Sequence, residues 1–446
     1  MKRLTTSPQT MRRTRLSAAI AATLAGCVLA PQARAVEIDT GIPDAKVRWD
    51  TQVRYNVGIR GEAVNPAFGN SPTYDETEYR FTKNKVMMNR LDLLTEFDAV
   101  FSNKYGFRLS GAAWHDDAYD DRMAHTNPGF LVPGVLPYSA IGNYVGNKYS
   151  STTERYHYQG AELLDAFAFT NFDVGGRAVN LKLGKHTVYW GEAFFTAFHG
   201  ISYSQAPIDG LKGASSPGIE AKEVFMPVAQ LSGAVQLSPE WSLRGQYFLD
   251  WEPNRLPEGG TYFGAADMLF SGPDRLFAGA AGMIPRGDAV VPHKHGEGNY
   301  GVNLRYTPQS HPDTTVGLYY RKFDETQPWA PVFRIAPPSP VPADYHLAYA
   351  KGTQMFAGSV QSALGPLSVG SDLVYRKDTA LNSNTAFVSS NGSVLDFAGR
   401  EGARGDTIHL VANAVYLLPR TSMWEAGTLI GARSMLKPPT RLVRIG

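Results

Sequence analysis

Residues 46–60 read KVRWDTQVRYNVGIR. The odd positions hold Val47, Trp49, Val53, Tyr55, Val57 and Ile59, with Thr51 the polar exception. The even positions hold Lys46, Arg48, Asp50, Gln52, Arg54, Asn56, Gly58 and Arg60. Side chains alternate across an extended backbone, so the stretch forms a strand with one apolar and one wet face. A soluble sheet would turn the apolar face to a core; a membrane barrel would turn it to lipid.

The same alternation returns at 90–101, 241–251, 300–306, 367–376 and 407–416. Weaker versions lie near 105–115, 160–173, 179–188, 227–237, 314–323, 353–363 and 423–431, which makes about 13 candidate strands. The connections discriminate better than the strands. Short ones, near 102–104, 174–178, 238–240, 308–313, 364–366 and 418–422, alternate with long ones near 61–84, 116–159, 189–226, 252–298, 324–352 and 377–405. Short periplasmic turns alternating with long external loops are the habit of outer-membrane barrels. About ten residues at roughly 3.3 Å each, tilted near 45°, cover about 23 Å, close to the apolar band of such a barrel. Trp241 and Trp251, ten positions apart on one apolar face, fit two aromatic girdles.

The opposite faces carry Arg48, Arg54, Asp92, Glu96, Asp98, Arg108, Lys182, Arg244, Arg305, Asp372 and Arg376. These are the candidate lumen-lining residues. The expected fold class is therefore all-β, a transmembrane antiparallel β-barrel of the outer-membrane type. Both signs alternate along Arg48, Asp50 and Arg54, which does not make a single-sign selectivity ring.

The N-terminus agrees with export. Lys2, Arg3, Arg12, Arg13 and Arg15 precede the uncharged run LSAAIAATLAGCVLA (16–30) and then Ala33-Arg34-Ala35. This is the anatomy of a signal peptide over residues 1–35, cleaved after Ala35. Leu24-Ala25-Gly26-Cys27 also resembles a lipoprotein cleavage box, so lipidation at Cys27 stays open. Cys27 is the only cysteine, so cleavage after Ala35 leaves no thiol for a disulfide or a metal. The formal charge of +2 argues against a nucleic-acid partner.

An odd strand count leaves an unpaired edge, and each unmet backbone group in lipid costs several kcal/mol. The tail SMLKPPTRLVRIG (434–446) holds a proline pair unsuited to a central strand and lacks a terminal aromatic residue. The reading at this stage is an incomplete barrel over 36–431, an irregular tail over 432–446, and a C-terminal truncation.

Three stretches resemble an uncharacterised Gram-negative family, domain of unknown function 1302: VEIDTGIPDAKVRWDTQVRY (36–55), LKLGKHTVYWGEAFF (181–195) and KEVFMPVAQLSGAVQLSPEWSLRGQYFLDWEPNRLPEGGTYF (222–263). The most specific pieces are Trp190-Gly191-Glu192 and Asp250-Trp251-Glu252-Pro253, with Arg255-Leu256 and Tyr262-Phe263. The resemblance implies an outer-membrane protein. It also implies an inner-membrane exporter of the resistance-nodulation-division type and a periplasmic lipid-handling protein as partners. It supplies no catalytic residues.

No G-x-S-x-G elbow, H-E-x-x-H or Walker A loop occurs, so no enzyme and no cofactor is expected. His115-Asp116-Asp117 with Asp120-Asp121 lacks the EF-hand spacing and reads as a solvated acidic loop. His293-Lys294-His295 offers two imidazoles without an evident third ligand and reads as surface loop. The loop 189–226 is richer in aromatic residues than water favours. Folded into the lumen it would form a constriction loop carrying Trp190, Glu192, Phe194 and Phe195. Glu192 could instead only pair with a wall arginine such as Arg244. The functional expectation is a channel or export duct for amphipathic or modestly hydrophobic small molecules or lipids. A surface adhesion or receptor protein is the main alternative, and an outer-membrane lipid-acting enzyme a further one.

Overall fold

The structure, a computed structural model, describes residues 36–437 except 129–130, 133–135, 138–140, 194–197, 220, 280–281, 293–295, 297, 330, 336–338, 340, 383–386, 390–396, 398–399 and 422–424. The expected signal peptide with Cys27, the His293-Lys294-His295 triplet, Phe194 and Phe195 lie outside the described residues.

Among the described residues, fourteen strands form one sheet in chain order. They are β1 (Val36–Ile38), β2 (Ala45–Ile59), β3 (Val86–Phe101), β4 (Tyr105–Asp116) and β5 (Gln159–Val174). Then come β6 (Arg177–His186), β7 (Val228–Gln236), β8 (Trp241–Phe248), β9 (Tyr300–Tyr306) and β10 (Thr314–Phe323). Last are β11 (Thr353–Leu364), β12 (Leu367–Ala380), β13 (Arg404–Leu418) and β14 (Gly427–Lys437). Each pairs antiparallel with its neighbour in sequence, so the wall is a pure meander. No helix among the described residues is long and apolar enough to cross a membrane.

The sheet is inside out with respect to a protein core. Val53 and Leu318 are 64% and 60% exposed, whereas Arg321 and Asp372 are fully buried. In water the hydrophobic effect drives the opposite sorting. The arrangement is stable only where the outer medium is itself apolar. Leu318 sits mid-strand, paired with Leu304 and Gly358. Leu318→Arg is expected to lower refolding stability in lipid vesicles by about 2–4 kcal/mol, the cost of a cation on a barrel's lipid face near the midplane. Urea titration would show it; an unchanged midpoint would mean that this face does not meet hydrocarbon.

The sheet is open, in line with an incomplete barrel: among the described residues its edges, β1 and β14, are not hydrogen-bonded to each other. Two expectations need correction. First, the strand count exceeds about 13. The wall gains the three-residue β1, which pairs Val36–Ile38 with Val47–Trp49. The loops add small sheets, among them Arg275–Phe277 with Met283–Pro285, and Val332–Ile335 with Pro342–His346 and Phe387–Ser389. Such short strands carry too few residues to show a period. Second, the last strand is Gly427–Lys437 instead of 423–431, so residues 432–437 are strand, not irregular tail. It ends immediately before Pro438, which has no N–H to give to a ladder.

Trp251 also departs from expectation. β8 ends at Phe248, and Trp251 packs edge-on against Tyr349 at 5.0 Å in the loop layer. It belongs to no girdle. Trp241 does lie on the outer face, 4.5 Å from Tyr306.

The two kinds of connection gather at opposite ends. β5 and β6 join through Gly175–Gly176, both at positive φ (61° and 79°), which suits the two-residue hairpin that matches strand twist. At the other end, five long loops pack on one another. Tyr144 Oη donates to Gly259 O at 2.7 Å and Tyr149 Oη to Gly260 O at 2.8 Å. Asp267 accepts from the backbone N–H groups of Glu76 and Thr77. The sixth long loop, 187–227, takes a different course.

Candidate functional site

Loop 187–227 folds onto the polar face of the wall. Gly191 starts the descent at φ +92°, and a Cβ there would stand 2.6 Å from Asp372 Oδ2, so this position admits only glycine. A loop buried against a wall must still satisfy its backbone. Three wall side chains do this. Asp372 accepts from Glu192 N at 2.8 Å and Ile201 N at 3.3 Å. Arg376 donates to Phe198 O and Gly200 O at 2.7 and 3.2 Å. Arg321 donates to Ile201 O and Tyr203 O at 2.8 Å and to Ser204 O at 3.0 Å. Trp190 is buried beside Tyr319, and its backbone N–H donates to Gln205 Oε1.

Two short helices anchor the rest of the loop. Asp209 caps Gly210–Ser215 by accepting from Lys212 N at 2.8 Å, and Lys212 Nζ reaches Glu162 on β5 at 2.8 Å. Arg255 joins both carboxylates, at 2.8 Å to Glu162 and 2.6 Å to Asp209. Helix Ala221–Val224 sends Glu223 to Arg54 at 2.8 Å and Lys222 to Glu96 at 2.6 Å. An opening of about 460 Å³ remains beside the loop, bordered by Tyr189, Glu192, Lys222 and Phe225, with Gln361 of β11 opposite.

The charged wall positions divide by environment. Arg48 lies 3.4 Å from Asp98; Arg108 contacts Glu96, Asp98 and Asp165; Asp92 holds Arg90 at 2.9 Å. Arg305 pairs with Glu192 at 3.5 Å, so the wall partner of Glu192 is Arg305, not Arg244. Asp372 and Arg376 are occupied by loop backbone. Lys182 and Arg244 have no carboxylate partner among the described residues; the Lys182 ammonium lies 5.1 Å from the Phe167 ring centroid.

Sequence reasoning missed Arg321, Glu162 and Glu223, and singled out Arg255 only as part of a motif, without a role. Arg321 shares the inward parity of Tyr319 and Phe323 on β10, so a charge between two aromatic positions of a buried face was the available signal. The acidic run is not a uniformly solvated loop. Asp116 is buried and accepts from Asn89 N and Ala118 N, Asp121 pairs with Arg80 at 3.0 Å, and His115 contacts Asp117 at 2.8 Å. No metal-binding cluster occurs among the described residues.

A family model described as a protein of unknown function, DUF1302, matches residues 16–435. No curated protein matches the chain. Among solved structures, OmpF of Salmonella typhi in complex with daunomycin is similar at 9% identity, with 92% of this chain and 84% of that one covered and a TM-score of 0.37. The outer-membrane channel DcaP of Acinetobacter baumannii is similar at 12% identity, 90% and 82% coverage, and a TM-score of 0.35. OccK9 of Pseudomonas aeruginosa follows at 10% identity, 90% and 95% coverage, and a TM-score of 0.29.

Proposed function

Since this chain belongs to DUF1302, a family of proteins of unknown function, we propose its role from its own geometry: an outer-membrane channel or export duct for amphipathic or modestly hydrophobic small molecules or lipids. One observation carries the reading. The wall turns apolar side chains outward and charged ones inward, and loop 187–227 narrows the charged side while leaving an opening. An apolar exterior is a lipid-facing exterior, and a charged interior holds water. The border of the opening joins the Tyr189 and Phe225 rings to the Glu192 carboxylate and Lys222 ammonium. That mixture suits a solute with an apolar body and a polar end better than a bare ion. The proposal extends to the partners. A resistance-nodulation-division exporter and a periplasmic lipid-handling protein would meet the chain at its short-turn end.

The test is conductance of the refolded, heat-modifiable chain in planar bilayers. Discrete channels are expected, and Glu192→Gln is expected to shift the reversal potential in a KCl gradient toward anions. A folded chain that never conducts would reject the channel. Conduction with an unmoved reversal potential would remove Glu192 from the narrow point.

A further inference from the structure

β6, β7 and β8 contain no aspartate or glutamate at any position. Elsewhere the wall's inward cations are engaged: Arg48, Arg54, Arg108 and Arg305 meet carboxylates, and Arg321 and Arg376 meet loop carbonyls. Lys182 on β6 and Arg244 on β8 do not, and both border one cavity of about 280 Å³ between these strands and the start of loop 187–227. The register explains the cavity. Lys182 stands opposite Ser232, and Arg244 opposite Ala234, so two small side chains of β7 separate two long cationic ones. Two strand spacings and a two-residue offset put their backbones about 12 Å apart, within reach of one small anion for side chains of this length. His186 adds no competing acid: its Nδ1 lies 2.9 Å from Gly184 O and its Nε2 2.7 Å from Ser232 Oγ. The roof is apolar and aromatic, from Val188, Tyr189 and Trp190.

We propose that this cavity is a binding subsite for the anionic head of an amphipathic small molecule, a carboxylate or sulfonate. The head lies between Lys182 and Arg244, and the apolar body lies against Val188 and Tyr189. Charge-assisted hydrogen bonds to guanidinium and ammonium are about twice as strong as neutral ones, and two cations that make no hydrogen bond to a carboxylate, under an apolar roof, are placed to make them. The subsite and the opening beside Glu192 share Thr187 and Tyr189, so a solute leaving one meets the other. This rests on the channel reading and names its solute class.

The experiment uses the refolded chain with 4-phenylbutyrate and its neutral counterpart 4-phenylbutan-1-ol. Binding is followed by calorimetry in detergent, and block of KCl current is followed in planar bilayers. The acid is expected to bind about tenfold tighter than the alcohol. Lys182→Gln with Arg244→Gln is expected to abolish that preference, and Lys182→Arg with Arg244→Lys to keep most of it. All variants must retain heat-modifiable mobility, and both cations border open space, so folding is expected to survive. Equal affinity for acid and alcohol, or a preference unmoved by the double glutamine variant, overturns the subsite. Acid-selective binding by a chain that never conducts upholds the subsite and overturns the channel. Conduction without acid preference does the reverse.

Discussion

Arg321→Ala is expected to release loop 187–227 from the wall. The side chain is fully buried and supplies three hydrogen bonds to the backbone of residues 201–204. Hydrogen bonds to a charged group contribute roughly 1.5–3 kcal/mol each, and the carbonyls left behind keep their desolvation cost. A local loss of about 3 kcal/mol or more raises the open population by about 100-fold. Limited proteolysis between residues 198 and 204 should accelerate by that order, while heat-modifiable mobility of the wall persists. Single-channel conductance should rise as the loop leaves the polar face. Equal cleavage rates in variant and parent would show that Asp372 and Arg376 hold the loop without Arg321.

Raising the pH from about 5 to 8 is expected to loosen the packed loops at the long-loop end. Asp75, Glu76 and Asp267 lie there together, and Glu258 lies in the same layer. Burial, followed by the neighbouring Asp267 carboxylate, pushes Asp75 up to about 7. Burial raises Asp267 and Glu258 to about 6 each. Burial, then Asp267 and Asp75, hold Glu76 well above the ordinary carboxylate range, and Arg275 only partly offsets this. An unfolded carboxyl loses its proton near pH 4, whereas these keep theirs to pH 6–7. Between those limits the folded state binds more protons, so its stability is greatest at the acid end and falls as pH rises. For Asp75 alone the shift corresponds to roughly 4 kcal/mol. Hydrogen exchange at the N–H groups of Glu76, Thr77, Asn127 and Asn143, which all donate to these carboxylates, should be faster at pH 8 than the intrinsic rate change explains. Asp75→Asn should flatten the profile and slow exchange at pH 8. A profile that rises with pH in protection would contradict the burial of these groups as acids.

Strand periodicity made the long strands of the wall legible because each spans enough residues for an alternation to repeat. β1 was not, since three residues carry no period and its pairing with Val47–Trp49 depends on the turn at 39–44. The small sheets in the loops escaped for the same reason. At the site, alternation told which face Arg48, Asp98 and Arg305 occupy, but not whom they meet. Register across strands decides Arg48 with Asp98, and a loop more than a hundred residues away in sequence decides Arg54 with Glu223. Asp372 and Arg376 look like channel-lining charges in any one-strand view. Only the course of loop 187–227 turns them into ligands for backbone. The absence of acid from β6, β7 and β8 was readable beforehand, but meant little until the cavity between Lys182 and Arg244 was in view.

The meander has a consequence for the order of assembly. Every wall pairing joins strands that are neighbours in the meander, so strands can add one at a time, alternately through short turns and across long loops. The contacts that seat loop 187–227 are of another kind: Ile201 meets Arg321 across 120 residues, and Phe198 meets Arg376 across 178. Their partners exist as a surface only after β10 and β12 have joined the sheet. The loop therefore docks late, into a wall already raised, and until then the polar interior stands wide. A slower phase in loop protection is therefore expected to follow the appearance of strand structure in β10 and β12, and hydrogen exchange during refolding would show it.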